Sequence, residues 1–324
     1  MRDAPRLTVQ SPVTEADTDT WVAFAMTARI CDDILSSLVD PLPNSLLRAD
    51  DTNYPWEKQS VWLRSYLRAA ADHLLVWANI VNPLKVHDDS EVVNPPRPYL
   101  TLARGAIEAS AQAGWVILGT DDKERTLRHL RLMYHDLRYQ EEAHRDHDVA
   151  VAEHARRRRS EIKQRVEGVY SFGSIKHPEP KYASMIKAVA AAAAWNPDDA
   201  ILTWRAASAA AHGKSWYSDY GTTSLVGAEY EPGHHRVTRI PEAGHITDAI
   251  GLAVRLLDFG TATFARRLGT NVEVLRTMAF ITVVESMPTA PGEEAVKSAI
   301  LAHHAKQLVE LTATDNPQDG NVDG

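Results

Sequence analysis

The chain has 324 residues, of which 44% are hydrophobic and 24% charged, and it carries a formal net charge of −8. This balance is typical of a globular protein with a sizeable core, while the negative field of the whole molecule repels nucleic acid and restricts any such contact to a local basic surface. The single cysteine, Cys31, excludes an internal disulfide framework.

Residues 1–13 and 315–324 lack apolar periodicity, which predicts loose tails around a single helical domain over residues 14–314. The N-terminal segment contains charged residues and a proline at the positions where an export signal has an apolar run, so we expect no export signal. The longest apolar stretch, Met185 to Trp195, is shorter than the roughly 20 residues that a membrane helix needs. We therefore expect a cytoplasmic protein without membrane contact.

The first half of the chain predicts long helices. A first helix over about 15–39 stops before a pair of prolines, and a second over about 56–81 has apolar residues spaced three or four apart. A third helix over about 99–118 follows a proline-rich segment. Asp121 and Asp122 then begin one long helix that continues to about Val169, and its seam changes from apolar to polar halfway along.

The second half predicts shorter helices and one hairpin. An alanine-rich helix over 182–195 precedes a helix that Pro197 opens and that Gly213 weakens or ends. Residues 222–240 alternate around a Pro-Gly turn, which indicates a β-hairpin. Three further helices, at about 245–268, 272–286 and 293–311, complete an all-α, multi-helix bundle with a short β insertion.

The most suggestive polar residues lie on the helix that begins at Pro197. Arg205, Ser208 and His212 stand at i, i+3 and i+7 and form one stripe among alanines. In this setting imidazole can act as acid or base, and guanidinium can stabilise a phosphate. The alternative is a structural arginine and histidine that carboxylates on neighbouring helices satisfy.

An arginine followed by a histidine after four to six intervening residues resembles the signature of HEPN-type helical domains, many of which are RNA-cleaving toxins or phage-defence proteins. Arg205 and His212 have six residues between them, and Arg68 and His73 have four. The resemblance implies a homodimer in which the histidine moves a proton, the arginine binds the scissile phosphate, and no metal or other cofactor takes part.

A second resemblance, to uncharacterised actinobacterial helical proteins, spans about 150 residues. It includes the ADHL segment with Asp72 and His73, the RPYLTLARGAIEASAQAGWVIL segment, and RAASAAAHG. Arg104 and Glu108 stand at i and i+4 within it, which predicts an ion pair that sets helix register. We assign these four residues a supporting role.

Metal binding is a further alternative. Glu141 and His144 form a Glu-x-x-His element with Asp148 nearby, which resembles half of a ferritin-like di-iron site, and Glu242 with His245 has the same spacing. The sequence does not decide whether these residues bind metal. The strongest basic run, Arg156–Arg159, is interpreted as a solvated helix tip that can also dock RNA or an acidic partner.

Three functions follow as expectations. The first is a metal-independent, HEPN-like ribonuclease of a toxin or defence type, dimeric, with Arg205, His212 and Ser208 at its catalytic site. The second is a non-catalytic helical module that binds another protein, and the third is a ferritin-like metal protein. The sequence alone does not establish that the chain is an enzyme.

Overall fold

The computed structural model describes residues 13–38, 40–84, 96–177 and 179–315, and within them the chain forms 13 helices and one antiparallel hairpin. The predicted all-α bundle with a short β insertion is confirmed. The predicted tails lie outside the described residues, apart from Val13 and Asp315. In chain order the elements are α1 (Glu15–Ser37), α2 (Leu46–Asn53), α3 (Gln59–Val81), α4 (Pro96–Ile117), α5 (Asp122–His144), α6 (Val149–Arg165), α7 (Phe172–Lys176), α8 (Tyr182–Ala192), α9 (Pro197–Ala211), α10 (Ser215–Tyr220), β1 (Thr222–Glu231), β2 (His234–Pro241), α11 (Ala243–Arg267), α12 (Val272–Ser286) and α13 (Glu294–Asp315).

The larger hydrophobic core lies among α1, α3, α4, α8, α9 and α11. The predicted stripe of α3 faces this core, since Ala70, Leu74 and Trp77 are fully buried. Small residues on α4 allow its neighbours to approach closely: a Cβ atom on Gly114 would lie only 2.7 Å from the side chain of Val189 in α8. The core therefore holds α4 centrally, packed against α3, α8, α9 and α11.

The long helix predicted over 122–169 is two helices, α5 and α6, that fold back on each other around residues 145–148. Asp148 caps α6 by accepting a hydrogen bond from the Val151 amide at 3.2 Å. The polar half of the predicted seam then faces the returning helix, because Glu141 forms ion pairs with two arginines of α6. The prediction of one continuous helix was wrong because a cap and tertiary ion pairs outweigh the local periodicity.

A buried carboxylate joins three helices that are far apart in the sequence. Asp50 of α2, whose side chain has 0% exposure, accepts two hydrogen bonds from Arg125 of α5, at 3.0 Å from Nε and 2.9 Å from Nη2. Arg267 at the end of α11 donates to the same carboxylate at 2.8 Å. Because the group is bidentate and dry, it sets the mutual positions of α2, α5 and α11.

The hairpin pairs β1 and β2 around Pro232 and Gly233, as predicted for residues 222–240. Gly233 has φ of +76°, the left-handed conformation that a Pro-Gly turn requires at its third position. Both strands are mostly exposed on both faces. The hairpin therefore projects from the bundle and contributes little to the core.

The start of α5 predicts a pH-dependent contribution to stability. Hydrogen bonds from the hydroxyl and amide of Thr120, each 2.7 Å long, and then the nearby Arg128, lower the pKa of Glu124 from 4.5 to about 2. A carboxylate whose pKa falls on folding stabilises the protein above its unfolded pKa and loses this effect as the pH falls towards its folded pKa.

We therefore expect Glu124→Gln to lower the urea midpoint near neutral pH and to approach the wild type as the pH falls below about 2. The matched control is Glu153→Gln, since Glu153 is exposed and has no hydrogen bond to the described residues. Parallel pH profiles for wild type and Glu124→Gln would contradict the prediction.

Candidate functional site

The polar stripe of α9 lies beside a shallow depression of about 290 Å³. Arg205, Ser208 and His212 all line it, and both Arg205 and His212 are exposed. The helix ends at Ala211 because Gly213 adopts a φ of +65° and the Lys214 amide donates back to the Ala209 carbonyl at 2.9 Å. His212 is thus the helix cap and keeps its place in the stripe.

A neighbouring helix supplies an arginine to this histidine. Arg104 of α4 donates from Nη1 to Nε2 of His212 over 2.7 Å, and its Nε donates to Glu108 over 2.8 Å. A guanidinium group has no acceptor, so Nε2 of His212 accepts and the ring proton lies on Nδ1. The structure therefore joins the supporting pair Arg104 and Glu108 to the predicted stripe.

Glu108 is held by a second donor from α9. The indole N–H of Trp204 donates to the same carboxylate oxygen that Arg104 uses, at 3.0 Å. Tyr182 lies nearby, and burial together with the Glu108 charge raises its pKa to about 12. Glu108 is a positioning residue, because its carboxylate orients Arg104, which in turn contacts His212.

The structure adds three residues that the sequence reasoning missed. Lys214, Trp204 and Trp216 line the same depression, and the Trp216 side chain is 43% exposed. The depression therefore combines cations with an accessible aromatic ring. The only sequence signal was that Lys214 and Trp216 come within three residues after Gly213, because a turn at that glycine returns the chain towards the end of α9.

Asp72 and His73 of α3 do not join this site. The ring of His73 packs over Gly105, where an added Cβ atom would lie 2.6 Å from Nε2, and among the described residues neither side chain bonds to Arg104, Glu108 or His212. Arg68 forms an ion pair with Asp32 of α1 at 3.4 Å. The second predicted arginine and histidine pair, Arg68 and His73, is thus separate from the α9 depression.

The residues considered for metal binding have other partners. One oxygen of Glu141 accepts from Arg156 at 2.9 Å and the other from Arg159 at 2.6 Å, and the first of these bonds lowers the pKa of Glu141. Nδ1 of His144 contacts the Gln140 carbonyl at 2.9 Å. Within the described ranges, no three His, Cys, Asp or Glu side chains are close enough to hold a metal ion.

The basic run on α6 is solvated only in part: Arg156 and Arg157 are exposed, but three of the four arginines form ion pairs. Arg156 and Arg159 pair with Glu141, and Arg158 forms a bidentate pair with Glu57 at the loop before α3. Only Arg157 of the four is exposed without a partner among the described residues. These arginines hold α6 against the bundle, so the α9 depression is the better candidate for a basic binding surface.

Comparisons with known proteins add no assignment: no family model, no curated protein and no solved structure matches the chain. In the part of the chain that the structure describes, no helix is long and apolar enough to span a membrane.

Proposed function

We propose that the α9 depression binds a phosphodiester of RNA and cleaves it without a metal ion, with Arg205 and His212 as the acting pair. The observation that supports the proposal is that these two side chains are exposed and line one open depression. The structural alternative required a carboxylate partner for each of them, and neither has one among the described residues.

The charge around the depression suits a phosphate. Arg104, Arg205 and Lys214 provide three cations, and among the described residues the one carboxylate that contacts the cluster, Glu108, is paired with Arg104. The molecule as a whole is acidic, with a net charge of −8, so a polyanion would be directed to this patch. Arginine suits the two free oxygens of a phosphodiester because its donors form a planar fork.

Imidazole supplies the proton transfer in this proposal. Nε2 of His212 takes the proton of the ribose 2′-hydroxyl, the 2′-oxygen bonds to phosphorus, and the bond from phosphorus to the 5′-oxygen breaks. The departing 5′-oxygen takes a proton from water, and the His212 imidazolium returns its proton to the solvent. Before substrate binds, Nε2 of His212 accepts a hydrogen bond from Arg104 and is not available as a base. A phosphate oxygen that attracts the Arg104 guanidinium would free Nε2, so substrate binding itself prepares the base.

The test compares the purified wild type with His212→Ala on labelled single-stranded RNA in buffer that contains a metal chelator. We expect the variant to lose cleavage by at least about a hundredfold, the usual contribution of a proton-transfer group. His154→Ala is the matched control, because His154 is an exposed histidine on α6 and does not line the α9 depression. RNA that stays intact in the presence of the wild-type protein, or equal cleavage by the wild type and His212→Ala, would overturn the proposal.

A non-catalytic interaction module is the second candidate, and α13 favours it. No side chain that the structure describes in this helix is buried, although it carries apolar residues such as Val296, Ile300 and Val309, the last of them 67% exposed. The helix packs against α12 and presents its other faces to solvent. Val296 and Ile300 share one face of the helix and Val309 lies on the opposite face, and a second copy of the chain is the simplest cover for such exposed apolar side chains.

We expect the wild type to sediment as a dimer and Val309→Glu to sediment as a monomer. Val226→Glu on the hairpin is the control, since that valine is 68% exposed and lies on another element. A monomeric wild type, or the same mass for Val309→Glu and the wild type, would remove the interaction surface from consideration.

A further inference from the structure

A second cavity lies on the other side of α9, against α11, and it is separate from the depression that holds His212. Its volume is about 360 Å³, within the usual range of small-ligand pockets. Trp195, Asp199 and Thr203 line one wall, Asp248 and Arg255 line the other, and Tyr220 also borders it. The proposed RNA cleavage uses none of these residues.

Two carboxylates face this cavity without partners. Neither Asp199 nor Asp248 has a hydrogen bond or ion pair to any residue that the structure describes. Their neighbour Asp198, by contrast, is neutralised by Lys187 at 2.8 Å. The two free acids come from facing helices, α9 and α11, so a ligand between the helices can contact both.

The same cavity holds one guanidinium group in a defined place. Arg255 lies over the ring of Trp195, 5.3 Å from its centroid, and donates from Nε to the Gly251 carbonyl at 3.3 Å. Phe259 packs edge-on against the same indole at 6.0 Å. Because Arg255 forms no ion pair with the described carboxylates, its two terminal nitrogens are available to an anion.

The order of residues along α11 gives the spacing. Asp248, Leu252 and Arg255 stand at i, i+4 and i+7, so an acid, an apolar side chain and a base follow one another on one helix face. Seven residues rise about 10 Å along a helix. The Arg255 side chain is directed back towards the start of the helix, because its Nε donates to the Gly251 carbonyl, so its guanidinium can share one ligand with Asp248.

We propose that the cavity binds a basic α-amino acid, free or at the end of a peptide. Such a ligand has two cations and one anion, which match the two free carboxylates and the one guanidinium. Its carboxylate lies against Arg255, its α-ammonium against Asp199, and its side-chain ammonium against Asp248, while the methylene chain covers Leu252. The inference does not depend on RNA cleavage.

The test measures binding of L-lysine to the full chain by calorimetry, beside two analogues that each lack one charged group. We expect saturable binding of L-lysine, and binding weaker by at least about tenfold for cadaverine, which lacks the carboxylate, and for 6-aminohexanoate, which lacks the α-ammonium. L-glutamate has the opposite charge balance and should not bind.

Two variants separate the subsites. Arg255→Gln should weaken L-lysine binding by at least about tenfold and leave cadaverine unchanged, whereas Asp248→Asn should weaken both. The controls Arg157→Gln and Asp146→Asn remove the same charges from exposed positions on other elements. No saturable binding of L-lysine at millimolar concentration, equal binding of L-glutamate, or unchanged L-lysine binding in Arg255→Gln would overturn the proposal.

Discussion

Replacing Asp50 with alanine is expected to lower the free energy of unfolding by about 3–5 kcal/mol, the usual cost of removing one partner from a buried ion pair. The cost arises because Arg125 and Arg267 would both remain in the interior without a counter-charge. Their side chains are only 10% and 14% exposed, so water cannot replace the lost carboxylate fully.

The measurement is chemical denaturation followed by far-UV circular dichroism, with Asp146→Ala as the matched control. Asp146 lies exposed in the turn between α5 and α6 and has no bond to the described residues, so its loss should change stability by less than about 0.5 kcal/mol. A similar small change for Asp50→Ala would mean that the two guanidiniums find other partners, and the joining role of Asp50 would be refuted.

Local periodicity predicted most of the fold. The helices α3, α11 and α12 lie close to their predicted ranges because each one turns an apolar face towards the core. The short helix α2 was missed: its eight residues carry few apolar side chains, and it is anchored by Asp50, whose arginine partners lie 75 and 217 residues further along the chain. The break after His144 has no proline or glycine to mark it.

The sequence predicted those features of the candidate site that depend on spacing within one helix. It did not predict the contacts between side chains of two different helices. Arg205, Ser208 and His212 share a face by helix geometry alone, and the Arg104 and Glu108 pair has i and i+4 spacing. The contact between Arg104 and His212 joins positions 108 residues apart, and it exists because α4 packs on α9. The pairing of the α6 arginines with Glu57 and Glu141 is non-local too, which is why a run of four cations looked solvated.

Replacing Trp77 with alanine is expected to destabilise the chain by about 3–5 kcal/mol, the usual cost of removing a large side chain from a packed core. Trp77 is 0% exposed, and its ring meets that of Trp21 edge-on at 6.2 Å, so the variant loses both buried area and the contact between α3 and α1. This is a large share of the stability of a typical domain.

The variant Trp77→Phe distinguishes the contribution of the packed ring to stability from that of the indole N–H group. The indole N–H of Trp77 has no hydrogen-bond partner in the described part of the chain, so phenylalanine removes a donor that is costly to bury while it keeps most of the ring. We expect a loss below about 2 kcal/mol, and no more than about 0.5 kcal/mol for the control Val76→Ala, whose side chain is 52% exposed on the same helix. Equal losses for Trp77→Phe and Trp77→Ala, measured by denaturation with circular dichroism, would show that the indole nitrogen contributes to stability. The interior around α3 would then contain a polar partner for the Trp77 indole nitrogen.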